Sequence, residues 1–328
     1  MRMFKRLLCI TAFLLINNSQ LMAQVKIEKV NFQGWPNCYR VGNGVIEFIA
    51  TSDIGPRIIS LSFIGEKNLF FVREDFAGKT GGEEWRNYGG HRLWHAPEDK
   101  VRTYQPDNLP ADVRQIENGL ALSNPIEKLT GILKTIEITI DPSSARVRVI
   151  HRLKNTNLWD VEMAPWALSV MAPGGFAVSP LPTEFHPDRL LPNRSLILWP
   201  YTNLRDDRYF LGTDFVLLRH KAGLDPAKER AKIGIMNNVG WCAYSIDSYL
   251  FVKKFAYRAG ANYPDLGSSV ELFTNNRMLE LETFGPLLKV PAGGEITHEE
   301  VWELFKDVKL EFNEESVKAK VMPLVKGK

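Results

Sequence analysis

The residues best suited to chemistry fall in three short segments. The first is Glu84-Trp85-Arg86-Asn87-Tyr88-Gly89-Gly90-His91-Arg92-Leu93-Trp94-His95-Ala96-Pro97-Glu98. The imidazoles of His91 and His95 can move protons near neutral pH. Tyr88 and Trp94 offer flat apolar faces with a polar edge, which suits the C–H faces and hydroxyls of a pyranose. Arg92 offers a fork of donors for sugar oxygens or a carboxylate, and the Gly-Gly pair allows close approach of backbone to a ligand. The second segment is Asn262-Tyr263-Pro264-Asp265-Leu266-Gly267-Ser268-Ser269-Val270-Glu271-Leu272-Phe273-Thr274, with acids Asp265 and Glu271. The third is Leu279-Glu280-Leu281-Glu282-Thr283-Phe284-Gly285-Pro286. In a strand, Glu280 and Glu282 share one face and Leu279 and Leu281 the other. The acids then face either solvent or a cleft. They become catalytic only where a cleft closes over them and tunes their pKa.

Other chemistries find little support. The i, i+4 spacing of His91 and His95 resembles the HExxH arrangement of zinc hydrolases, but Arg92 stands where the Glu is needed. No CxxC, G-x-S-x-G, GxGxxG or P-loop occurs, so neither a metal nor a nucleotide cofactor is expected.

The elements that must position these residues read as strands. In residues 132–153, Ile136, Ile138 and Ile140 alternate with Thr135, Glu137 and Thr139. After Asp141-Pro142-Ser143-Ser144, Val147 and Val149 alternate with Arg146 and Arg148, which makes a β-hairpin. Similar runs occupy 45–51, 57–63, 196–199, 215–220, 232–236, 269–274 and 278–283. Gly and Pro punctuate them, and no internal repeat or flexible linker intervenes. The expectation is an all-β domain of large antiparallel sheets over 24–310, followed by a short helical tail over 311–328. In that tail Asn313 suits a helix cap, with Glu314 and Glu315 before Lys318 and Lys320. Residues 297–305 fit either a capped helix or a strand.

Arg2, Lys5 and Arg6, the ten-residue run 7–16 interrupted by Thr11, and the small Ala23 read as a secretory signal cleaved after Ala23. Export to a periplasmic or extracellular space is therefore expected, with no membrane insertion once the signal is removed. Of the 328 residues, 41 are Lys or Arg and 38 Asp or Glu, so those three basic residues account for the whole excess of +3. A neutral body argues against nucleic acid as a partner. Cys38 and Cys242 remain after processing, either bridged or as two core thiols.

The order Tyr88-Gly89-Gly90-His91-Arg92-Leu93-Trp94-His95-Ala96-Pro97-Glu98, Ala164-Pro165-Trp166, Met171-Ala172-Pro173-Gly174-Gly175, Tyr263-Pro264-Asp265, Val270-Glu271 and Leu279-Glu280-Leu281-Glu282-Thr283 resembles an uncharacterised family of exported bacterial proteins. That family looks like a branch of the galactose mutarotase-like (aldose 1-epimerase-like) superfamily. The resemblance spans about 30–307. It implies a β-supersandwich, a strand at 297–305, and a sugar site on one sheet. It also implies general acid–base chemistry at an anomeric centre, with Glu282 as base and His91 or His95 as acid. Arg57, Tyr88, Arg92, Trp94, Trp166, Asp265, Glu271 and Glu280 are the implied ligand contacts. One departure stands out: mutarotases carry a His in a middle strand, whereas Glu162-Met163-Ala164-Pro165-Trp166-Ala167-Leu168 has none.

Three readings follow, all with a mono- or oligosaccharide partner. The first is an aldose 1-epimerase-like enzyme. The second is a glycan lyase or hydrolase on the same scaffold, with Arg92 neutralising a uronate. The third is a carbohydrate-binding protein without catalysis.

Overall fold

A computed structural model describes residues 24–184, 187–188 and 190–326. The proposed signal, 1–23, lies outside the described residues. Among them, no helix is long and apolar enough to cross a membrane.

Two large antiparallel sheets form the molecule. The first runs in the order Lys26–Phe32, Trp35–Gly42, Ile46–Thr51, Arg57–Phe63, Gly90–Ala96, Val161–Met171, Leu279–Phe284, Val270–Thr274, Ala231–Ile235, Leu196–Leu198, with Leu288–Val290 also paired to Val161–Met171. The second runs Tyr209–Leu211, Phe215–Arg219, Phe176–Pro180, Trp241–Ile246, Tyr249–Phe255, Glu295–Phe305, Arg146–Asn155, Ile132–Ile140, Gly119–Ser123, Asp112–Ile116. Strand alternation drives the stacking. Ile132, Ile136, Ile138 and Ile140 point inward from one sheet and meet Leu272, Leu281 and Ile233 of the other in a single apolar core. The segment that fitted two states is the strand Glu295–Phe305. There Trp302 faces the core, while Glu299 pairs in solvent with Arg148.

The three chemistry-bearing segments become neighbours through this topology. Val161–Met171 lies between Gly90–Ala96 and Leu279–Phe284, and Val270–Thr274 follows on the far side. A second apolar cluster packs under the C-terminal helix Glu314–Lys320, whose Asn313 side chain accepts a hydrogen bond from the Ser316 amide at 2.8 Å.

Gly89 and Gly90 adopt positive φ. A Cβ at Gly89 would lie 2.0 Å from the Phe71 carbonyl oxygen, and one at Gly90 2.4 Å from that of Ile58. The close approach that needs glycine is therefore to neighbouring backbone, where the sequence suggested a ligand.

Cys38 and Cys242 are free, buried thiols in separate clusters. Burial pushes Cys38 up to about 11 and Cys242 up to about 12. In a chain beginning at residue 24, Ellman's reagent is expected to leave both untouched in the native state and to titrate two thiols in denaturant. Rapid native labelling at either position would contradict this packing.

Candidate functional site

Directly opposed residues of antiparallel strands point to the same face. Arg92 opposes Leu168, Leu168 opposes Glu282, and Glu282 opposes Glu271. One row along, Trp166 opposes Trp94 on one side and Phe284 on the other. On the other side of that row, Glu280 opposes Phe273, which opposes Lys232. All these side chains occupy the face of the first sheet turned away from the second sheet. Leu93, Leu281, Leu272 and Ile233 take the core face.

The acids are not a solvated strand face. Glu282 and Glu271 have no exposure and Glu280 keeps 7%. Arg92 donates to Glu280 Oε1 at 3.0 Å and lies over the Trp94 ring at 4.5 Å. Glu282 Oε2 accepts from the Trp166 indole N–H at 2.8 Å. Lys232 Nζ stands 2.6 Å from Glu271 Oε2 and 3.6 Å from Glu282 Oε2, with the Trp199 ring over it at 4.6 Å. Oε1 of Glu271 and Oε1 of Glu282 are buried with no protein partner. Trp85, Trp94, Tyr104 and Trp166 build an edge-to-face aromatic wall.

The electrostatics follow from burial. Desolvation raises Glu282 to about 7, with Glu280 adding to the rise and Lys232, the Trp166 donor and Arg92 opposing it. Burial likewise pushes Glu271 well above the usual carboxylate range, against the pull of Lys232. Burial disfavours the Lys232 charge, but Glu282 and Glu271 outweigh it and hold the ammonium. Trp166→Phe removes a donor to the ionised carboxylate, so the Glu282 pKa is expected to rise further. A carboxyl-carbon NMR titration reads this, and a fall would contradict the assignment.

The histidines lie elsewhere. His91 and His95 alternate with Arg92 and Trp94 along their strand, so both turn to the opposite face. Four residues of strand separate them by about 13 Å, too far to share one metal ion. His95 is driven down to about 3 by burial, ahead of Lys134 and Arg102. Neither histidine is placed to serve across from Glu282. Tyr88 packs in a separate apolar cluster with Trp35 and Ile59, its hydroxyl donating to Asn108 at 3.0 Å. Arg57 is fully buried, donates to the Gly89 carbonyl at 2.5 Å, and is ion-paired to Asp107. It secures the turn preceding His91, and both its terminal nitrogens are committed to protein partners. Asp265 sits in the turn Pro264–Gly267 with positive φ, and its charge bears on Glu271.

His91 instead joins a network between the sheets. His91 Nε2 meets His151 Nε2 at 2.7 Å, and Glu300 is close enough for the three to offer converging ligand atoms. The His151 Nδ1–H donates to the His298 carbonyl at 3.0 Å, so its Nε2 accepts from His91 Nε2–H. His91 Nδ1 then accepts from the Ser169 hydroxyl at 2.9 Å. Thr283 donates to Glu300 Oε1 and accepts from His298 Nε2 at 2.8 Å. Trp302 donates to Glu300 Oε2 at 2.8 Å, and Lys253 stands 3.0 Å from Glu300 Oε1. Lys253 already neutralises Glu300, and His91, His151 and His298 are held below their ordinary value by burial. A divalent cation would therefore place uncompensated charge in a dry core, and the residues fit a neutral hydrogen-bonded network better than a metal.

Sequence reasoning missed Lys232, Trp199, Lys253 and Glu300. A lysine inside the apolar run Ala231-Lys232-Ile233-Gly234-Ile235 was the available signal for the first.

No family model matches the chain, and none of the curated proteins does. Solved structures do match in shape. A galactose mutarotase-like protein from Lactobacillus casei ATCC 334 is 8% identical, covers 82% of this chain and 100% of its own, and superposes with a TM-score of 0.52. A galactose mutarotase related enzyme from Lactobacillus acidophilus is 8% identical over 82% of this chain and 98% of its own, with a TM-score of 0.51. The Slr1438 protein from Synechocystis sp. PCC 6803 is 10% identical over 85% and 99%, with a TM-score of 0.53. At such identities the likeness is one of fold, and the fold is galactose mutarotase-like.

Proposed function

We propose, taking the galactose mutarotase-like fold as premise, that this chain is an exported aldose 1-epimerase-like enzyme in which Glu282 acts as the base on the anomeric hydroxyl of a sugar. The observation that carries the reading is Glu282 itself. It is fully buried, keeps one carboxylate oxygen without a protein partner, and titrates near neutrality beside an aromatic wall. A base poised near the working pH combines a useful ionised fraction with useful proton affinity. Trp199 is only partly buried and can offer an aromatic face to a pyranose, whereas Trp94 and Trp166 are buried and packed against Arg92 and Phe284. Since neither Glu282 nor Glu271 is exposed, a sugar reaches them only after side chains over this face move aside.

The cations of this face are already claimed, Arg92 by Glu280 and Lys232 by Glu271 and Glu282. That disfavours the uronate-directed lyase reading, which needs a free cation to neutralise the substrate carboxylate. Neutral aldoses are the substrates that fit.

The test is to mix single pure anomers of common aldoses with the protein. Faster approach to anomeric equilibrium than in buffer, followed by polarimetry or proton NMR, supports the reading. No acceleration with any aldose, together with saturable sugar binding, would replace it with the carbohydrate-binding reading.

A further inference from the structure

The epimerase reading leaves one role unfilled, because His91 and His95 turn away from Glu282. Ring opening needs an acid for the ring oxygen O5 as well as a base for the O1 hydroxyl. Both oxygens are bonded to the same carbon, C1, so acid and base must be close neighbours. Glu271 is the directly opposed cross-strand partner of Glu282, which puts the two Cβ atoms about 5 Å apart. Lys232 bridges the pair at 2.6 Å and 3.6 Å, and each acid keeps a buried oxygen with no protein partner.

Charge counting sets the proton inventory. Two carboxylates and one ammonium would leave a net negative charge in a site with no exposure. One proton on the pair makes the Glu271–Lys232–Glu282 group neutral. The other charges around it do not alter this. Glu280 is balanced by Arg92, while Asp265 near Glu271 and Glu98 near Lys232 both favour retaining the proton. Burial of Glu271 acts in the same direction.

We infer that Glu271 is the second catalytic residue: Glu271 and Glu282 share one proton beneath the Lys232 ammonium, and Glu271 gives that proton to O5 while Glu282 takes the one on O1. This rests on the epimerase reading. The O1–H bond breaks and its proton passes to Glu282. The O1 electron pair forms the C1=O1 carbonyl, the C1–O5 bond breaks, and O5 takes its proton from Glu271. The open-chain aldehyde rotates about C1–C2. In closure, O5–H attacks C1 and returns its proton to Glu271, while O1 recovers a proton from Glu282. The pair ends as it began, and no further reactant is consumed.

Glu271→Gln tests this on the full chain. The expected result is a kcat about 10²–10³-fold lower, the usual scale for a lost general acid, with KM changed far less. The wild-type pH–rate profile is expected to be a bell, and the variant is expected to keep only the limb that rises with pH. An infrared carboxyl C=O band at neutral pH is the reading independent of turnover. It is expected in the wild type and absent from both Glu271→Gln and Glu282→Gln. A Glu271→Gln enzyme within threefold of wild-type kcat and with its bell intact overturns the inference and leaves the epimerase reading standing. A wild type that epimerises no aldose overturns that reading, and the infrared band then decides the shared proton alone: its absence rejects the pair.

Discussion

Glu282→Gln is expected to slow anomer exchange by about 10²–10⁴-fold, the largest functional effect of any single substitution in this molecule. Gln fills the same space and still accepts the Trp166 indole N–H, but it cannot take a proton. The fold is expected to survive, because the side chain lies on the outer face of the first sheet and outside the apolar core. In the wild type the base must be ionised, so the rate is expected to fall as pH drops below about 7. The stability consequence has the opposite sense. A carboxyl whose folded pKa lies above its unfolded value binds more protons when folded, so its contribution is fully present below the unfolded value of about 4.3 and is lost as pH rises towards about 7. Urea denaturation of the two proteins at pH 5 and pH 8 is therefore expected to show wild type losing ground to Glu282→Gln at the higher pH. Unaltered exchange rates in the variant would end the assignment of Glu282 as base.

The largest effect on stability is expected at Lys253 and Glu300. Both are fully buried, 3.0 Å apart, between the sheets. Lys253 also donates to the Leu281 carbonyl at 3.1 Å, and Glu300 accepts from Thr283, so the pair grips both neighbours of Glu282. Lys253→Met alone or Glu300→Gln alone leaves a buried group without its counter-charge and is expected to cost about 3–5 kcal/mol. The double variant removes both charges and is expected to recover most of that loss, giving a strongly non-additive cycle. Lys253 and the neighbouring histidines hold Glu300 far below the usual carboxylate range despite burial. Its contribution is present above the unfolded value of about 4.3 and is lost as pH falls through the depressed folded value. Additive single losses would show that the two charges do not support one another.

The hairpin over 132–153 was legible because one face of its strands meets the core and the other meets water, which prints a period of two on the residues. The strands that carry the site lack that contrast between core and water, although Leu279–Phe284 does alternate leucine with glutamate. Gly90–Ala96 and Leu279–Phe284 are buried on both faces, so Arg92, Glu280 and Glu282 stand out only as polar residues among apolar ones. That was enough to single out the carboxylates and Trp94. It was not enough to say which groups of Gly90–Ala96 share a face with Glu282, and the resemblance set His91 and His95 at the sugar site, whereas the strand turns them to the opposite face from Arg92.

The order of residues alone determined that this chain builds antiparallel sheets, and that its reactive groups concentrate in three segments. Alternation and turn residues are local properties, and a linear sequence displays them. Which groups meet was decided only by tertiary structure. Strand pairing brought Glu271 and Glu282 face to face, set Lys232 between them, and sent His91 to the core with His151, which lies 60 positions away. Cross-strand register and the choice of buried face arise from long-range packing, and each one-residue step along a strand reverses the face on which a side chain acts.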